Sequence, residues 1–140
     1  MVEQATMIVV AAALIDDQGR ILLQQRAPGR SMAGLWEFPG GKMEAGERPE
    51  TALARELEEE LGLAVAAEAL VPITFASADL PGGGGRHMLL LLYTCRTWDG
   101  MPEALDAAAL AWVHPSEMRL LPMPPADIPF IPILEAVLGV

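Results

Sequence analysis

Apolar runs separated by turn-forming residues fill the first part of the chain. The run from Met7 to Ile15 is apolar and partly β-branched, and a turn from Asp16 to Gly19 separates it from a second run, Arg20 to Arg26. Two such runs joined by a short turn that contains glycine are typical of paired antiparallel strands. The pattern therefore predicts a β-hairpin over residues 7–26.

The next stretch changes from apolar runs to a glycine-rich loop and a helix. Residues 27–43 are rich in Gly and Pro and include a short extended piece, Leu35 to Gly41, that runs into a loop requiring unusual backbone angles. A helix is predicted from Pro49, which suits a first-turn position, to a stop at Gly62. Spacings of three and four predict its buried side, which comprises Ala52, Leu53, Leu57 and Leu61.

Three further strands and a final helix are predicted in the second half. The loop 79–85 carries four consecutive glycines but lacks the Lys-Ser/Thr of a P-loop, so it is interpreted as a hairpin tip. Strands outnumber helices and hairpins mix with crossovers, which predicts an α+β fold with a mixed sheet packed between helices. The predicted elements are strands Leu70 to Ala76, Arg86 to Trp98 and Leu110 to His114, and a helix from Ile128 to Leu138 with Pro129 and Pro132 in its first turn.

Composition and charge narrow the class of protein. With 140 residues, 52% of them hydrophobic, residues 1–140 suit one domain whose core needs no disulfide. The single Cys95 lies in an apolar run, which favours a buried thiol, a reducing compartment and hence a cytoplasmic location. A net charge of −10 would repel a phosphate backbone, so no nucleic-acid polymer is expected as a partner. The apolar run 7–15 is too short to span a membrane.

Three glutamates share one face of the predicted main helix. Glu56, Glu59 and Glu60 are spaced i, i+3 and i+4. Exposed like charges at this spacing cost only about 0.2–0.5 kcal/mol per pair, so a solvated acidic face is one interpretation. If the glycine loop covers the face, repulsion rises to about 3 kcal/mol per pair, and a bound hard cation would have to offset it. The helix alone leaves both interpretations open.

A spacing pattern links the loop and the helix into one unit. Five residues separate its first Gly from a Glu, and seven more separate that Glu from an Arg-Glu-Leu triplet. Over 41–63 the pattern resembles the signature of the Nudix hydrolase family at every specified position. The resemblance implies a Nudix-type α/β/α sandwich with a central mixed sheet, and an enzyme that hydrolyses phosphoanhydride bonds. The matched positions are Gly41, Glu47, Arg55, Glu56, Leu57, Glu59, Glu60, Gly62 and Leu63.

In this family the helix glutamates and a loop carbonyl hold a divalent cation. The resemblance implies magnesium, or manganese as a substitute. Magnesium prefers oxygen ligands, usually one or two carboxylates plus substrate phosphates. It would offset phosphate charge and lower the pKa of an attacking water. The implied ligands are the side chains of Glu56, Glu59 and Glu60 and the carbonyl of Gly40.

The remaining catalytic roles are shared between the helix and a later loop. Arg55 is expected to hold a neighbouring carboxylate, with Glu47 as its partner. One of the helix glutamates, or an acid in the loop before the last strand, is expected to deprotonate water. Asp106 lies where MutT-type members carry an extra acid near the metals, and Glu103 is a second candidate. A solvated loop acid describes either residue equally well.

The segment 34–42 resembles the MutT branch, which hydrolyses nucleoside triphosphates to a monophosphate and pyrophosphate. In that branch a Glu-Phe-Pro-Gly piece and an Arg on the second strand line the nucleotide pocket. Phe38 is expected to pack against a base, and Arg26 to meet a phosphate or a base edge. Arg86 is a further candidate, with an ordinary Arg at a strand start as the alternative. The implied pocket residues are Arg26, Ser31 (a histidine in MutT), Glu37, Phe38, Pro39, Gly40 and Arg86.

The stretch 124–127 resembles the MutT segment that ends in a base-reading Asn, but it ends here in Asp127. An ionised Asp only accepts hydrogen bonds, so it suits the N1 and N2 hydrogens of an oxidised guanine or the exocyclic amine of cytosine. Relatives specific for CTP and 5-methyl-dCTP resemble this ending. We therefore expect an 8-oxo-dGTP pyrophosphohydrolase of nucleotide-pool sanitation, with CTP or 5-methyl-dCTP second. Capping of the last helix is the structural alternative for Asp127.

A Nudix domain that binds a nucleotide without cleaving it is the rival class of function. Such domains usually lose a metal glutamate, and none is missing here. An active enzyme with a nucleoside triphosphate as its partner is therefore favoured. The sequence does not choose between a monomer and a homodimer.

Overall fold

The computed structural model describes residues 6–80 and 84–140. The central part of the predicted glycine loop, residues 81–83, lies outside these ranges. No helix in the described part of the chain has the length and apolar character needed to cross a membrane. The elements are β1 Met7–Leu14, β2 Ile21–Gln25, β3 Trp36–Glu37, β4 Gly40–Lys42, α1 Pro49–Leu61, a 3-10 turn Ala67–Ala69, β5 Val71–Asp79, β6 His87–Cys95, β7 Ala109–Val113, α2 Pro115–Met118 and α3 Phe130–Leu138.

The strands form two sheets. A four-stranded mixed sheet has the order β4-β1-β6-β5, in which β1 runs parallel to β6 and antiparallel to β4. A three-stranded antiparallel sheet has the order β3-β2-β7. The predicted α+β class with a mixed sheet is confirmed, and the second sheet is an addition to it.

The predicted hairpin between the first two strands is wrong. β1 and β2 belong to different sheets, and Ile15, which follows β1, forms an isolated bridge with Ile21 at the start of β2. Both edges of β1 are already occupied by β4 and β6, so β2 has no free edge to join. The turn itself is held by the Asp16 carboxylate, which accepts hydrogen bonds from the backbone of Gln18 and Arg20. It redirects the chain into the second sheet.

Alternate residues of β1 serve two separate halves of the core. One half lies against α1 and the other against α3. The predicted buried face of α1 is confirmed, and Gly62 ends that helix in the left-handed conformation as expected. The mixed sheet is thus packed between helices. On the α1 side lie Val10, Ala12 and Leu14, and on the α3 side lie Ala11, Ala13 and, just past the end of β1, Ile15.

The helices near the end of the chain differ from the prediction. The short helix α2 was not predicted, and α3 begins two residues later than expected. The residues before α3 form a tight turn instead, because the amide of Phe130 donates to the carbonyl of Asp127 and that of Ile131 to Ile128. Phe130 is buried and anchors the helix on the mixed sheet. The turn places Asp127 in the lining of the cleft described below.

Replacement of a core residue of α1 tests this packing. Leu57 is fully buried between α1 and the sheet. Leu57→Ala is expected to lower the free energy of unfolding by about 2–5 kcal/mol, because the substitution leaves a cavity. Leu120→Ala, at an exposed position, is the control and should change it by less than about 0.5 kcal/mol. Urea denaturation measures both, and equal losses in the two variants would contradict the packing.

Candidate active site

One large cleft, of about 890 Å³, brings most of the predicted site residues together. A volume of this size matches the pockets that hold nucleotide-sized ligands. Its walls come from both sheets, from α1, and from the turn before α3. The predicted residues that line it are Arg26, Ser31, Glu37, Phe38, Gly40, Glu56, Glu60, Asp106 and Asp127.

Two glycines let the backbone of the loop approach β1 and α1 closely. Gly40 has a φ of 156° and pairs with Ala11, and a Cβ at this position would overlap the carbonyl oxygen of Val10. A Cβ at Gly41 would overlap the carboxylate of Glu56. Gly40 therefore has no room for a side chain, and a side chain at position 41 would displace the Glu56 carboxylate. The bend therefore lies over Glu56 and Glu60, so this part of the acidic face is covered, which was one of the two interpretations left open.

Arg55 ties the loop to the helix. Its Nε and Nη2 donate to the two carboxylate oxygens of Glu47 at 2.9 and 2.8 Å, which is the predicted partnership. Its Nη1 donates to Glu56 at 2.9 Å and to Glu59 at 3.3 Å. The hydrogen bonds from Arg55 hold the pKa of Glu47 at about 2. A guanidinium suits this task because its donors form a rigid fork.

Glu60 points into the interior. Its Oε2 accepts a hydrogen bond from the amide of Gly40 at 3.0 Å, and its Oε1 accepts one from Nε2 of Gln24 at 3.3 Å. Burial raises its pKa to about 8, and the carboxylates of Glu56 and Glu37 add to this rise. Gln24 was not predicted. Its signal in the sequence is a polar residue that follows three apolar ones in a buried strand.

The three helix glutamates do not converge as the spacing suggested. The side chain of Glu59 is 58% exposed and lies outside the cleft lining. Within residues 6–80 and 84–140, no three His, Cys, Asp or Glu side chains are grouped so as to hold a metal ion. The physical reason is that Arg55 draws Glu56 and Glu59 toward itself, whereas Gln24 and the glycine bend hold Glu60 inward.

The residues present nevertheless fit a magnesium ion. Glu56 and Glu60 line the cleft together with Gly40, and magnesium usually takes only one or two carboxylates besides substrate phosphates. When two desolvated carboxylates lie beside each other, each makes ionisation of the other less favourable, and a bound cation offsets this repulsion. The side-chain oxygen of Gln24 is buried and has no hydrogen-bond partner among the described residues, which leaves an acceptor for a water of a hydrated ion.

The other part of the cleft combines one arginine with two buried acids. Nη1 of Arg26 donates to Glu37 at 2.6 Å, and its Nε and Nη2 donate to the backbone and hydroxyl oxygens of Ser31. Burial raises the pKa of Glu37 above its usual range. Asp127 is only 6% exposed, and burial together with the charge of Glu37 raises its pKa to about 7. The predicted pocket residues therefore include an Asp whose charge changes near neutral pH.

The capping role that was the alternative for Asp127 is wrong. The N-cap of α3 is Pro129, and no side chain caps that helix end. The side chain of Asp127 faces the cleft instead.

Three predicted pocket residues are more buried or more exposed than a base-binding role suggests. Phe38 lines the cleft but is only 4% exposed and packs edge-to-face on Phe130 with ring centroids 6.1 Å apart, so stacking of a base on it stays a prediction. Pro39 is buried outside the cleft lining, and its carbonyl accepts a hydrogen bond from the amide of Ala12. Arg86 is exposed just before β6 and does not line the cleft. Core packing buries the first two residues, and Arg86 lies on the surface.

The loop before β7 contributes one of the two acids considered. Asp106 lines the cleft, where its carboxylate forms an ion pair with Nη2 of Arg30 at 2.6 Å. Glu103 does not line the cleft, and its amide donates to the carbonyl of Leu61 at the end of α1. Arg30 was not predicted, because its partner lies 76 residues away in the sequence. Participation of Asp106 in metal binding stays a prediction.

The geometry can be compared with known proteins. A family model of the NUDIX domain matches residues 5–134. The chain belongs to the Nudix family. Its relatives include the CTP pyrophosphohydrolase of Escherichia coli (strain K12), 42% identical over 125 residues that cover 89% of each chain. They also include the 8-oxo-dGTP diphosphatase of Haemophilus influenzae, 37% identical over 126 residues that cover 89% of this chain and 88% of the other.

The solved structures agree. The solution structure of the E. coli ORF135 protein superposes with a TM-score of 0.83 at 35% identity, and the match covers 96% of this chain and 91% of that one. The predicted family and enzyme class are confirmed: the protein is a Nudix hydrolase. Its relatives are named for two different nucleotides, so the comparisons leave the base open.

The buried acid of this Nudix hydrolase gives a pH-dependent stability. Because the pKa of Asp127 is raised in the folded state from 3.8 to about 7, the folded protein holds the extra proton and loses stability as the pH rises between these values. Asp127→Asn removes this loss. It is expected to raise Tm by about 3–8 °C at pH 8 and by much less at pH 4.

Thermal unfolding at the two pH values provides the measurement. Asp17→Asn, in an exposed turn, makes the same chemical change without burial and should leave Tm unchanged at both. A gain for Asp127→Asn that is equal at pH 4 and pH 8 would show that the charge of the buried acid is not its source.

Proposed function

We propose that this protein is a magnesium-dependent nucleoside triphosphate pyrophosphohydrolase that converts 8-oxo-dGTP to 8-oxo-dGMP and pyrophosphate. The observation that carries the proposal is a single cleft lined by a carboxylate pair on α1 and by a buried acid before α3. Glu37 raises the pKa of both Glu60 and Asp127, so it lies near each of these groups. The cleft thus offers one region for phosphates and another for a base.

At the phosphate region, Glu56, Glu60 and the carbonyl of Gly40 would hold the cation, and Glu59 would have to turn away from Arg55 toward the cleft to join them. When bound, magnesium offsets the charge of the phosphates and lowers the pKa of the attacking water. Arg55 orients Glu56, and Glu47 in turn keeps the guanidinium in place through two hydrogen bonds. Glu56, Glu59 and Asp106 remain the candidates for the base that removes the proton from water.

At the base region, the ionisation of Asp127 decides which nucleotide fits. An ionised carboxylate accepts two hydrogen bonds, which matches the N1 and N2 hydrogens of 8-oxoguanine. A neutral carboxyl group donates one bond and accepts one, which matches N3 and the exocyclic amine of cytosine. Arg26, held by Glu37 near the same acid, would meet a phosphate or a base edge.

CTP or 5-methyl-dCTP is the second candidate substrate. Two observations favour it: the 42% identical relative is named CTP pyrophosphohydrolase, and the pKa of Asp127 of about 7 keeps part of the protein in the neutral form. A regulatory domain that binds a nucleotide without cleavage is the remaining alternative.

A nucleotide panel with magnesium at pH 6 and pH 8.5 tests the substrate. We expect kcat/KM for 8-oxo-dGTP to exceed that for CTP, and the ratio of the two to rise by about 10-fold or more with pH as Asp127 ionises. The general base that activates water is the same for both substrates, so its pH dependence cancels in the ratio of the two kcat/KM values. A higher kcat/KM for CTP at both pH values would assign the enzyme to cytosine nucleotides, and no divalent-dependent turnover would favour the regulatory domain.

Charge-neutralising substitutions on α1 test the phosphate region. Glu56→Gln and Glu59→Gln are each expected to lower kcat by about 10²- to 10⁴-fold, because each removes a cation ligand or the base. Glu58→Gln is the matched control, since it makes the same change on an exposed side chain of the same helix outside the cleft. Circular dichroism confirms that the variants fold. Full activity in Glu59→Gln would remove that exposed residue from the metal site.

A further inference from the structure

Gln24 occupies a position on β2 that an apolar residue would be expected to fill. Ile21 and Leu23 belong to the half of the core against α3, whereas Leu22 faces α1. Gln24 continues the α1-facing set and is only 6% exposed. A buried amide costs free energy unless it is hydrogen-bonded. Its partners therefore indicate why this strand carries an amide here.

Those partners belong to the cation region of the cleft. Nε2 of Gln24 donates to Oε1 of Glu60 at 3.3 Å, and the amide of Gly40 donates to Oε2 at 3.0 Å. Each oxygen of the Glu60 carboxylate is thus held by one donor, from β2 on one side and from the glycine bend on the other. The side-chain oxygen of Gln24 is buried without a hydrogen-bond partner among the described residues.

We propose that Gln24 is a positioning residue that fixes the Glu60 carboxylate for a divalent cation. The inference rests on the proposed role of Glu60 as a ligand. Without the side-chain amide of Gln24, only the hydrogen bond from the backbone of Gly40 to Oε2 would remain, and the Glu60 carboxylate could turn about that one contact. The unfilled oxygen of Gln24 is suited to accept a hydrogen bond from a water of the hydrated ion, since magnesium and manganese keep several waters. An apolar side chain at this position would provide neither function.

Direct binding of Mn²⁺ tests the inference without substrate or turnover. Gln24→Met keeps the length and volume of the side chain but removes both hydrogen-bonding groups. We expect it to raise the Kd for Mn²⁺, measured by electron paramagnetic resonance of the free ion, by about 10- to 100-fold, as for other partners of metal ligands. Gln25→Met is the matched control and should leave Kd within about 2-fold, because the amide of Gln25 donates to the carbonyl of Gly34 and not to Glu60.

A double variant separates positioning from packing. In a Glu60→Gln background the ligand is already lost, so Gln24→Met is expected to cause no further rise in Kd. Thermal unfolding in EDTA reports the metal-free fold of each variant. If Gln24→Met lowered Tm in EDTA but left the Kd of Mn²⁺ unchanged, Gln24 would be a packing residue and the inference would be overturned.

Two failures can be distinguished in the same titration. A wild-type protein that binds no Mn²⁺ would overturn the proposed metal site and this inference together. A wild-type protein that binds Mn²⁺ with the same Kd as Gln24→Met would overturn only the inference. Gln24→Leu repeats the comparison with a different apolar shape, so that a folding defect in one variant does not decide the result.

Discussion

The close approach of a glycine bend to an acidic helix is the constraint on which the site depends. Gly40 lies against the backbone of β1 and has no room for a side chain, and Gly41 lies against the carboxylate of Glu56, which a side chain at position 41 would displace. The bend thereby covers carboxylates that an isolated helix would leave in water. Burial then raises the pKa of Glu60, so a positive charge nearby would stabilise its ionised carboxylate.

The protein itself supplies such a positive charge at the outer edge of the acidic face. Arg55 neutralises the carboxylates at the outer edge of the helix, where it contacts Glu47, Glu56 and Glu59. On the inner side, the hydrogen-bond donors to Glu60 among residues 6–80 and 84–140 are neutral: the Gln24 side chain and the amide of Gly40. This asymmetry separates the two halves of the acidic face. A cation would complete the inner half, where the cleft opens.

The arginines of the cleft are likewise engaged with acids. Arg26 is held by Glu37, and Arg30 is held by Asp106. An anionic nucleotide that enters the cleft would therefore meet preformed ion pairs of a strongly acidic protein. Under the proposed function, a divalent cation would attract the phosphates to this acidic site.

The sequence alone determined the features that depend on neighbouring residues: the bounds and buried face of α1, the Arg55–Glu47 pair, and the family. These follow from helical periodicity and from spacing within one short segment. Tertiary structure decided the rest. Packing buried Phe38 on Phe130, the pairing of both edges of β1 moved β2 into another sheet, and folding joined Gln24 to Glu60 across 36 residues. Such contacts join distant parts of the chain, and a local sequence pattern does not predict which distant residues will meet.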